Sequence, residues 1–476
     1  MSSRCGRAPA PRSRRRSSCG DRSGRESSRE SPRRGIPRPS DALDIVRQQP
    51  RSSYVLEGSP MGNNSAAPLT SIDLFAGCGG LSLGFHRAGW RGVFAVERDP
   101  MAFETLKANL VGPEAPYRAY EHWPEWLDQK PLDVDEVLGD PEIRARLMGL
   151  RDQVDLIAGG PPCQGFSVGG SRNGLDERNE MVQRQLEFVE LVRPRAVIVE
   201  NVEGIARAFR SRPGEEGAKS VAHQVVLELD RLGYDAKFGV ADTSRFGVPQ
   251  VRRRALIVGI RRDLGVTADR FFDNLEAARP RLLEQLGLDP ERPVTAGEAL
   301  SDLTTDERVP SPDSPKFESS PYLAPRSTYA RLMRRGSSRS VPDSHRYSKH
   351  GERVQALYDL AHATQPKGRL SKEFLLSNGT KKDKKVLIDE TQPVSTITTH
   401  PDEFIHYAEA RNVTVREMAR LQSFPDDFEF KGRYTINGPR RRFDVARCSQ
   451  VGNAVPPHFA EAVGMAMAAT LAEAGD

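Results

Sequence analysis

The sequence is poor in the features that mark secreted, membrane-spanning or metal-bound proteins. Its five cysteines, at positions 5, 19, 78, 163 and 448, form no CxxC pair, and no histidine stands at zinc-finger spacing. That argues against a disulfide scaffold and a structural zinc site, so the expected metal complement is none. No apolar run is long enough to cross a bilayer. The amino-terminal stretch is rich in Arg and Ser but has no hydrophobic segment, which excludes a secretory signal. An organellar transit peptide shares that composition and stays open as an alternative. The expectation is an intracellular protein of the cytoplasm or nucleoid, with no membrane partner. There is no internal repeat and no GxGxxG dinucleotide fingerprint.

What is present is a chain of 476 residues, long enough for two or three domains. Its net charge is +5 and its pI about 8.9, with most of the basic excess in the first forty residues. A basic balance suits a nucleic-acid partner, although a solvated tail gives the same figures. Residues 1–66 are dominated by Arg, Ser, Pro and Gly without apolar periodicity, which predicts a disordered basic tail. Such an arm adds non-specific DNA affinity, is passive, or precedes a translation start at Met61.

From Ser71 the pattern changes. Apolar runs at 72–75, 93–96, 155–158, 196–199, 234–240 and 255–260 alternate with helical periodicity, as near 100–110, 180–192 and 219–232. That alternation predicts a mostly parallel sheet covered on both faces. The catalytic and cofactor domain is placed at 67–261. Residues 262–440, rich in Pro, Ser, Arg and Asp through 395, read as a smaller, irregular domain, and 441–476 as a segment returning to the first.

Five stretches carry the chemistry. In Asp73-Leu-Phe-Ala-Gly-Cys-Gly-Gly80 a strand meets a glycine turn and a helix start, where backbone approaches a ligand closely. Glu97, closing the next strand, is placed to accept hydrogen bonds from ribose hydroxyls. In Gly159-Gly160-Pro161-Pro162-Cys163 an abrupt turn holds a cysteine at the mouth of the sheet, a candidate nucleophile where a lone buried thiol is the bland alternative. Glu200-Asn201-Val202 closes another strand, so its carboxylate faces the same rim. Gln250-Val-Arg252-Arg-Arg254 enters a strand whose alternation puts Arg252 and Arg254 on one face. Gln450-Val-Gly-Asn453-Ala-Val455-Pro makes a turn before the last helix.

Together with Arg416-Glu-Met-Ala-Arg-Leu-Gln-Ser-Phe-Pro425, and in this order, these stretches resemble the cytosine-5 DNA methyltransferases, from about Ser71 to the carboxyl terminus. The resemblance implies a Rossmann-like α/β methyltransferase sheet, a smaller target-recognition domain, and S-adenosylmethionine as cofactor. It implies that Cys163 adds to C6 of cytosine and that Glu200 binds N3 and the exocyclic amine and supplies a proton. Arg254 would hold the carbonyl oxygen and Arg252 would steady the cysteine loop. The cofactor would lie against Asp73, Phe75, Ala76, Gly77, Gly79, Gly80, Leu81, Glu97, Arg98 and Pro161, with Asn453 and Val455 closing the pocket. An acidic residue for the adenine amino group belongs between Glu97 and Asp155; Asp133 is the choice and Asp140 the rival.

A base in a duplex cannot present C6 to a thiol, so the target must flip out of the stack. Residues 165–176 are rich in Gly and Ser and suit a loop closing over it. The expected partner is double-stranded DNA, bound by a monomer, with a cognate restriction endonuclease acting separately or absent. Arg331, Arg334, Arg335 and Lys381–Lys385 are candidate DNA contacts. The rival readings are a tRNA cytosine-5 methyltransferase and a silent DNA-binding protein. The tRNA branch carries a Cys-Phe-Thr signature in its recognition region, where this chain has no cysteine.

Overall fold

The structure is a computed structural model that describes residues 67–162, 177–206, 220–380, 384–434 and 444–474. The amino-terminal stretch 1–66 therefore lies outside the described residues. Among them, no helix is long and apolar enough to cross a membrane.

Seven strands come first in the chain: β1 (Thr70–Leu74), β2 (Arg91–Val96), β3 (Leu156–Gly159), β4 (Ala196–Val202), β5 (Tyr234–Asp242), β6 (Gln250–Val251) and β7 (Arg253–Arg261). Six of them form one sheet in the order β2-β1-β3-β4-β7-β5. β1 to β4 pair in parallel, while β7 runs antiparallel to both β4 and β5. The sheet is thus mostly parallel, with one reversed strand. All five residues of β1 are buried, as expected of a central strand covered on both faces.

Each face has its own helices. α1 (Gly80–Arg87), α2 (Pro100–Leu110), α3 (Val134–Gly139), α4 (Pro141–Gly149), α5 (Glu177–Val192), α6 (Val221–Arg231) and α7 (Ala268–Leu286) follow in chain order. Ile72, Leu74, Ile157, Val197 and Val199 point into a core with Val182, Leu186 and Val189 of α5 and Val225 of α6. The alternate residues Leu156, Ala158, Ile198, Leu256 and Val258 point into a second core, with Phe85 of α1 and Phe271 and Leu275 of α7. Phe459, Val463 and Met467, near the carboxyl terminus, complete that second core. The sheet layer therefore runs on through Leu286, beyond the division expected at residue 261. The apolar stripe of α7 is what holds it there, and the polar composition around it hid that stripe.

The remaining helices are α8 (Ala296–Leu300), α9 (Thr328–Arg334), α10 (Glu352–Thr364), α11 (Lys372–Ser377), α12 (Val415–Leu421), α13 (Arg447–Asn453) and α14 (Pro457–Glu473). α8, α9 and α12 pack with Ile388, Ile397, Phe404 and Phe424 around a third core that reaches Leu83 and Leu110. Two full-length arginines lie inside it. Arg420 is buried between Asp302 and Asp426, and Arg416 donates to the carbonyls of Pro425 (2.9 Å) and Phe428 (2.7 Å). The segment resumes pairing with the first domain where Val394 and Ser395 run parallel to Gln250 and Val251 of β6.

Candidate active site

The first half of the site is built from the turns after β1 and β2. Phe75 (φ 58°), Gly77 (φ 57°) and Gly79 (φ 93°) all take left-handed conformations, which lets the chain reverse within a few residues between β1 and α1. A Cβ on Gly77 would meet nothing within 4 Å, so this turn opens outward. The Gly77 N–H donates to Glu97 Oε2 (2.8 Å) and the Asp99 N–H to Glu97 Oε1 (2.7 Å). Burial pushes the Glu97 pKa up, and those two N–H groups work against it. Ala76 bonds back to the Val96 carbonyl (3.0 Å), which ties the two strand ends together.

Asp73 is wholly buried and accepts from Ser82 Oγ, while its Oδ1 has no partner among the described residues. Burial raises its pKa to about 7. Leu81 points into the core of α1 rather than outward. Arg98 is exposed and lies 3.7 Å from Asp133. The backbone N–H of Leu132 bonds the Glu97 carbonyl (2.9 Å), so Asp133 stands beside Glu97, where it also caps α3. Asp140 stands at the far end of α3 and caps α4.

The second half lies across the rim, after β3 and β4. Asn201 donates from Nδ2 to the Pro161 carbonyl (3.1 Å) and accepts the Val202 N–H at Oδ1 (2.9 Å). The proline turn is thereby fixed to the strand that carries Glu200. A Cβ on Gly160 would come within 3.0 Å of Glu200 Oε2, so glycine keeps the turn close to the carboxylate. Cys163 and the loop 165–176 lie outside the described residues.

Glu200 and Arg254 are both buried, and Arg254 Nε lies 2.7 Å from Glu200 Oε1. Adjacent antiparallel strands bring them together, since Val202 is opposite Arg254 and Glu200 opposite Leu256. Burial pushes the Glu200 pKa up; Arg254 and then Arg252 pull it back. The result is a carboxyl group, shielded from water, that holds a proton more firmly than a surface glutamate does.

Arg252 is used differently. Its guanidinium donates to the carbonyls of Ile397 (2.8 Å) and Gly452 (2.8 Å). It is a strut between the segment returning from the second domain and the closing turn. Gln250 Nε2 donates to Gln422 Oε1 (2.9 Å), and Gln422 Nε2 to the Val451 carbonyl (2.8 Å). Gln450 accepts from Thr105 (2.7 Å) and donates to the Lys431 and Val445 carbonyls. Gln250 and Gln422 stand inside the sequence motifs, which by themselves assign them no role. The signal was there, in polar amides at the inward positions of otherwise apolar pieces.

The closing turn reaches the glycine turn directly. A Cβ on Gly80 would collide with the Val455 carbonyl, so the two segments touch. Val455 is buried there, while Asn453 at the end of α13 is exposed. Of the basic residues in the second domain, Arg331 and Arg335 are exposed, and Arg334 stacks on Tyr322 at 4.2 Å. Lys385 is not a surface cation: it is buried and donates to the Asp402 carbonyl (2.6 Å). Residues 381–383 lie outside the described residues.

A family model described as C-5 cytosine-specific DNA methylase matches residues 69–469. Among characterised relatives, the Type II methyltransferase M.DdeI of Desulfomicrobium norvegicum is 30% identical over 410 residues, covering 82% of this chain and 86% of its own. The Type II methyltransferase M.NgoFVII of Neisseria gonorrhoeae is 31% identical over 404 residues, covering 83% and 85%. A crystal structure described as a DNA modification methyltransferase encoded within a prophage (E. coli) shares the fold, with a TM-score of 0.56 at 24% identity, covering 85% of this chain and 99% of that one.

Proposed function

This chain belongs to the C-5 cytosine-specific DNA methylases and is a DNA (cytosine-5)-methyltransferase, and from that premise we propose how its residues divide the work. The cofactor is S-adenosylmethionine, which when bound supplies an electrophilic methyl group. The residues present fit it. Gly77 opens outward with its N–H and that of Asp99 holding the Glu97 carboxylate at the strand end, a receptor for ribose hydroxyls. The orphaned Asp73 Oδ1 behind the same turn is an acceptor still lacking its donor. Phe75, Ala76, Gly79, Gly80, Arg98, Pro161, Asn453 and Val455 would line the remaining walls, and Asp133 would reach the adenine amino group. Leu81 would support the pocket from the core side.

The target base lies against Glu200 and Arg254, and the close pairing of those two side chains is the observation that carries this reading. Arg254 holds the cytosine carbonyl oxygen and Glu200 keeps a proton on N3 while negative charge builds on the ring. The Cys163 thiolate forms a bond to C6, and the C5–C6 electron pair makes C5 nucleophilic. With the cofactor bound, C5 would take its methyl group and leave a neutral thioether. A base such as solvent would take the C5 proton, that C–H electron pair would re-form the C5–C6 double bond, and the sulfur–C6 bond would break with its electrons returning to the Cys163 thiolate. The raised pKa of Glu200 suits this task, because burial favours the protonated carboxyl that can donate to N3.

The substrate is a specific sequence in double-stranded DNA, read by the second domain, which begins after α7 and runs to residue 440, while 441–476 returns to the catalytic domain. The relatives are Type II methyltransferases, so a separate endonuclease cutting the same sequence is the expected companion, and the enzyme works as a monomer in the cell interior. The test is transfer of labelled methyl groups to duplex DNA and to tRNA, with Cys163→Ala alongside. Duplex labelling that vanishes in the variant supports the reading. Labelling of tRNA alone, or of neither, overturns it.

A further inference from the structure

The extended run from β6 into β7, which carries the two buried arginines, has a second face. Pleating alternates its side chains, so Gln250, Arg252 and Arg254 are buried while Val251 and Arg253 are exposed. Arg252 is occupied by the carbonyls of Ile397 and Gly452, and Arg254 by Glu200. Neither is placed to meet a DNA backbone arriving from solvent. Arg253 is. Its side chain is 59% exposed and pairs at 3.4 Å with Glu203, itself 41% exposed. A pair so open to water is weak and exchanges readily for a stronger anion.

Its position is what gives that exchange a purpose. Glu203 begins the turn Glu203–Ala206 that directly follows β4, three residues after Glu200. Arg253 is the chain neighbour of Arg254. The exposed pair therefore stands at the rim beside the carboxylate and guanidinium that receive the base. Val251, 42% exposed, lies on the same strand face and is paired with the exposed Ser395. An exposed cation beside an aliphatic side chain and a hydroxyl suits the phosphate and sugar of a nucleic-acid strand.

We propose that Arg253 binds a backbone phosphate of the target DNA strand next to the nucleotide whose base enters the Glu200–Arg254 site. Glu203 holds the guanidinium in place until the phosphate displaces it. This rests on the methyltransferase reading above.

The test is the affinity of the full chain for a duplex that it methylates, measured over a salt series. Wild type is compared with Arg253→Ala, Arg253→Lys and Glu203→Gln, and S-adenosylmethionine affinity is measured in parallel. Loss of one phosphate contact makes the slope of log affinity against log salt shallower by about 0.9. Arg253→Ala should show that change and weaken methylatable and unrelated duplexes by the same factor, while cofactor affinity stays at the wild-type value. Arg253→Lys should restore the slope, and Glu203→Gln should tighten DNA binding. An unchanged slope in Arg253→Ala overturns the proposal, and so does a loss confined to one sequence or a parallel loss of cofactor binding. If the wild-type chain neither binds nor methylates duplex DNA, the methyltransferase reading itself has failed instead.

Discussion

Arg254 Nε lies 2.7 Å from Glu200 Oε1, and both side chains are buried at the junction of two antiparallel strands. The guanidinium both holds the carboxylate in place and lowers its pKa against the rise that burial causes. Removing it must therefore raise the Glu200 pKa further. In Arg254→Gln the limb of kcat that falls as Glu200 deprotonates should move to higher pH. The maximal kcat should drop by roughly 10²–10³-fold, as for loss of a donor to developing negative charge. Methyl transfer measured across pH checks both; a limb that stays put would show that another group titrates.

The contact between α1 and α14 is close enough to exclude a single methyl group. A Cβ on Gly84 would run into Ala460 Cβ, the Glu461 N–H and the Pro457 carbonyl, which are mostly backbone and yield little. Gly84→Ala should cost about 1–3 kcal/mol of stability, as overpacked sites do. Because α1 begins at the glycine turn, cofactor affinity should fall more than DNA affinity. Urea unfolding and calorimetric titration separate the two effects.

Arg420 is held by Asp426 at 2.6 Å and by Asp302, with all three wholly buried. Arg420→Met removes the nearest counter-charge of two buried carboxylates, leaving Asp302 only Arg334 at 3.7 Å and Asp426 only Arg416 at 3.9 Å, and should destabilise the fold by about 3–5 kcal/mol. Replacing all three with apolar residues should recover most of that loss. Arg420 holds the Asp426 pKa below the ordinary carboxylate value against the opposing effect of burial. The stability due to Asp426 is therefore complete above its unfolded pKa and is lost as pH falls through the folded one. Acid unfolding of the triple variant should be correspondingly less steep.

Glu461 points the other way. Burial raises its pKa from about 4.5 to about 7, opposed only in part by Arg87, and its Oε2 has no partner among the described residues. The folded chain thus binds a proton that the unfolded chain has released. Stability from this group falls as pH rises from about 4.5 to about 7 and is level above that. Glu461→Gln should flatten that decline and stabilise the protein at pH 8, by up to roughly 3 kcal/mol. Urea midpoints across the pH range decide it.

Much of the fold was legible because alternation is a local signal. β7 reads Ala255-Leu-Ile-Val-Gly-Ile260 as an unbroken apolar run, and the structure buries it on both faces. α7 was not legible. Its buried Phe271, Leu275, Ala278 and Leu282 are diluted by Arg, Asp and Glu, and Pro280 interrupts the pattern. In the site, Glu97, Glu200 and Arg254 stood out as charged residues closing or opening apolar strands. Lys385 misled, because a basic run resembles a surface patch until Tyr358 and the Asp402 carbonyl close around it.

The sequence by itself determined the order of the strands along the chain and the family, since both are written in residue types at short spacing. Only the tertiary structure decided how Arg252 is used and what surrounds Gln250 and Gln422. Arg252 bonds to Ile397 and Gly452, 145 and 200 residues away, and Gln250 to Ile397, Leu421 and Gln422, 147 to 172 residues away. Hydrogen bonds between such distant segments depend on where the strands end and how α13 and α14 pack. That information is set by burial of the whole core and by no local stretch of the chain.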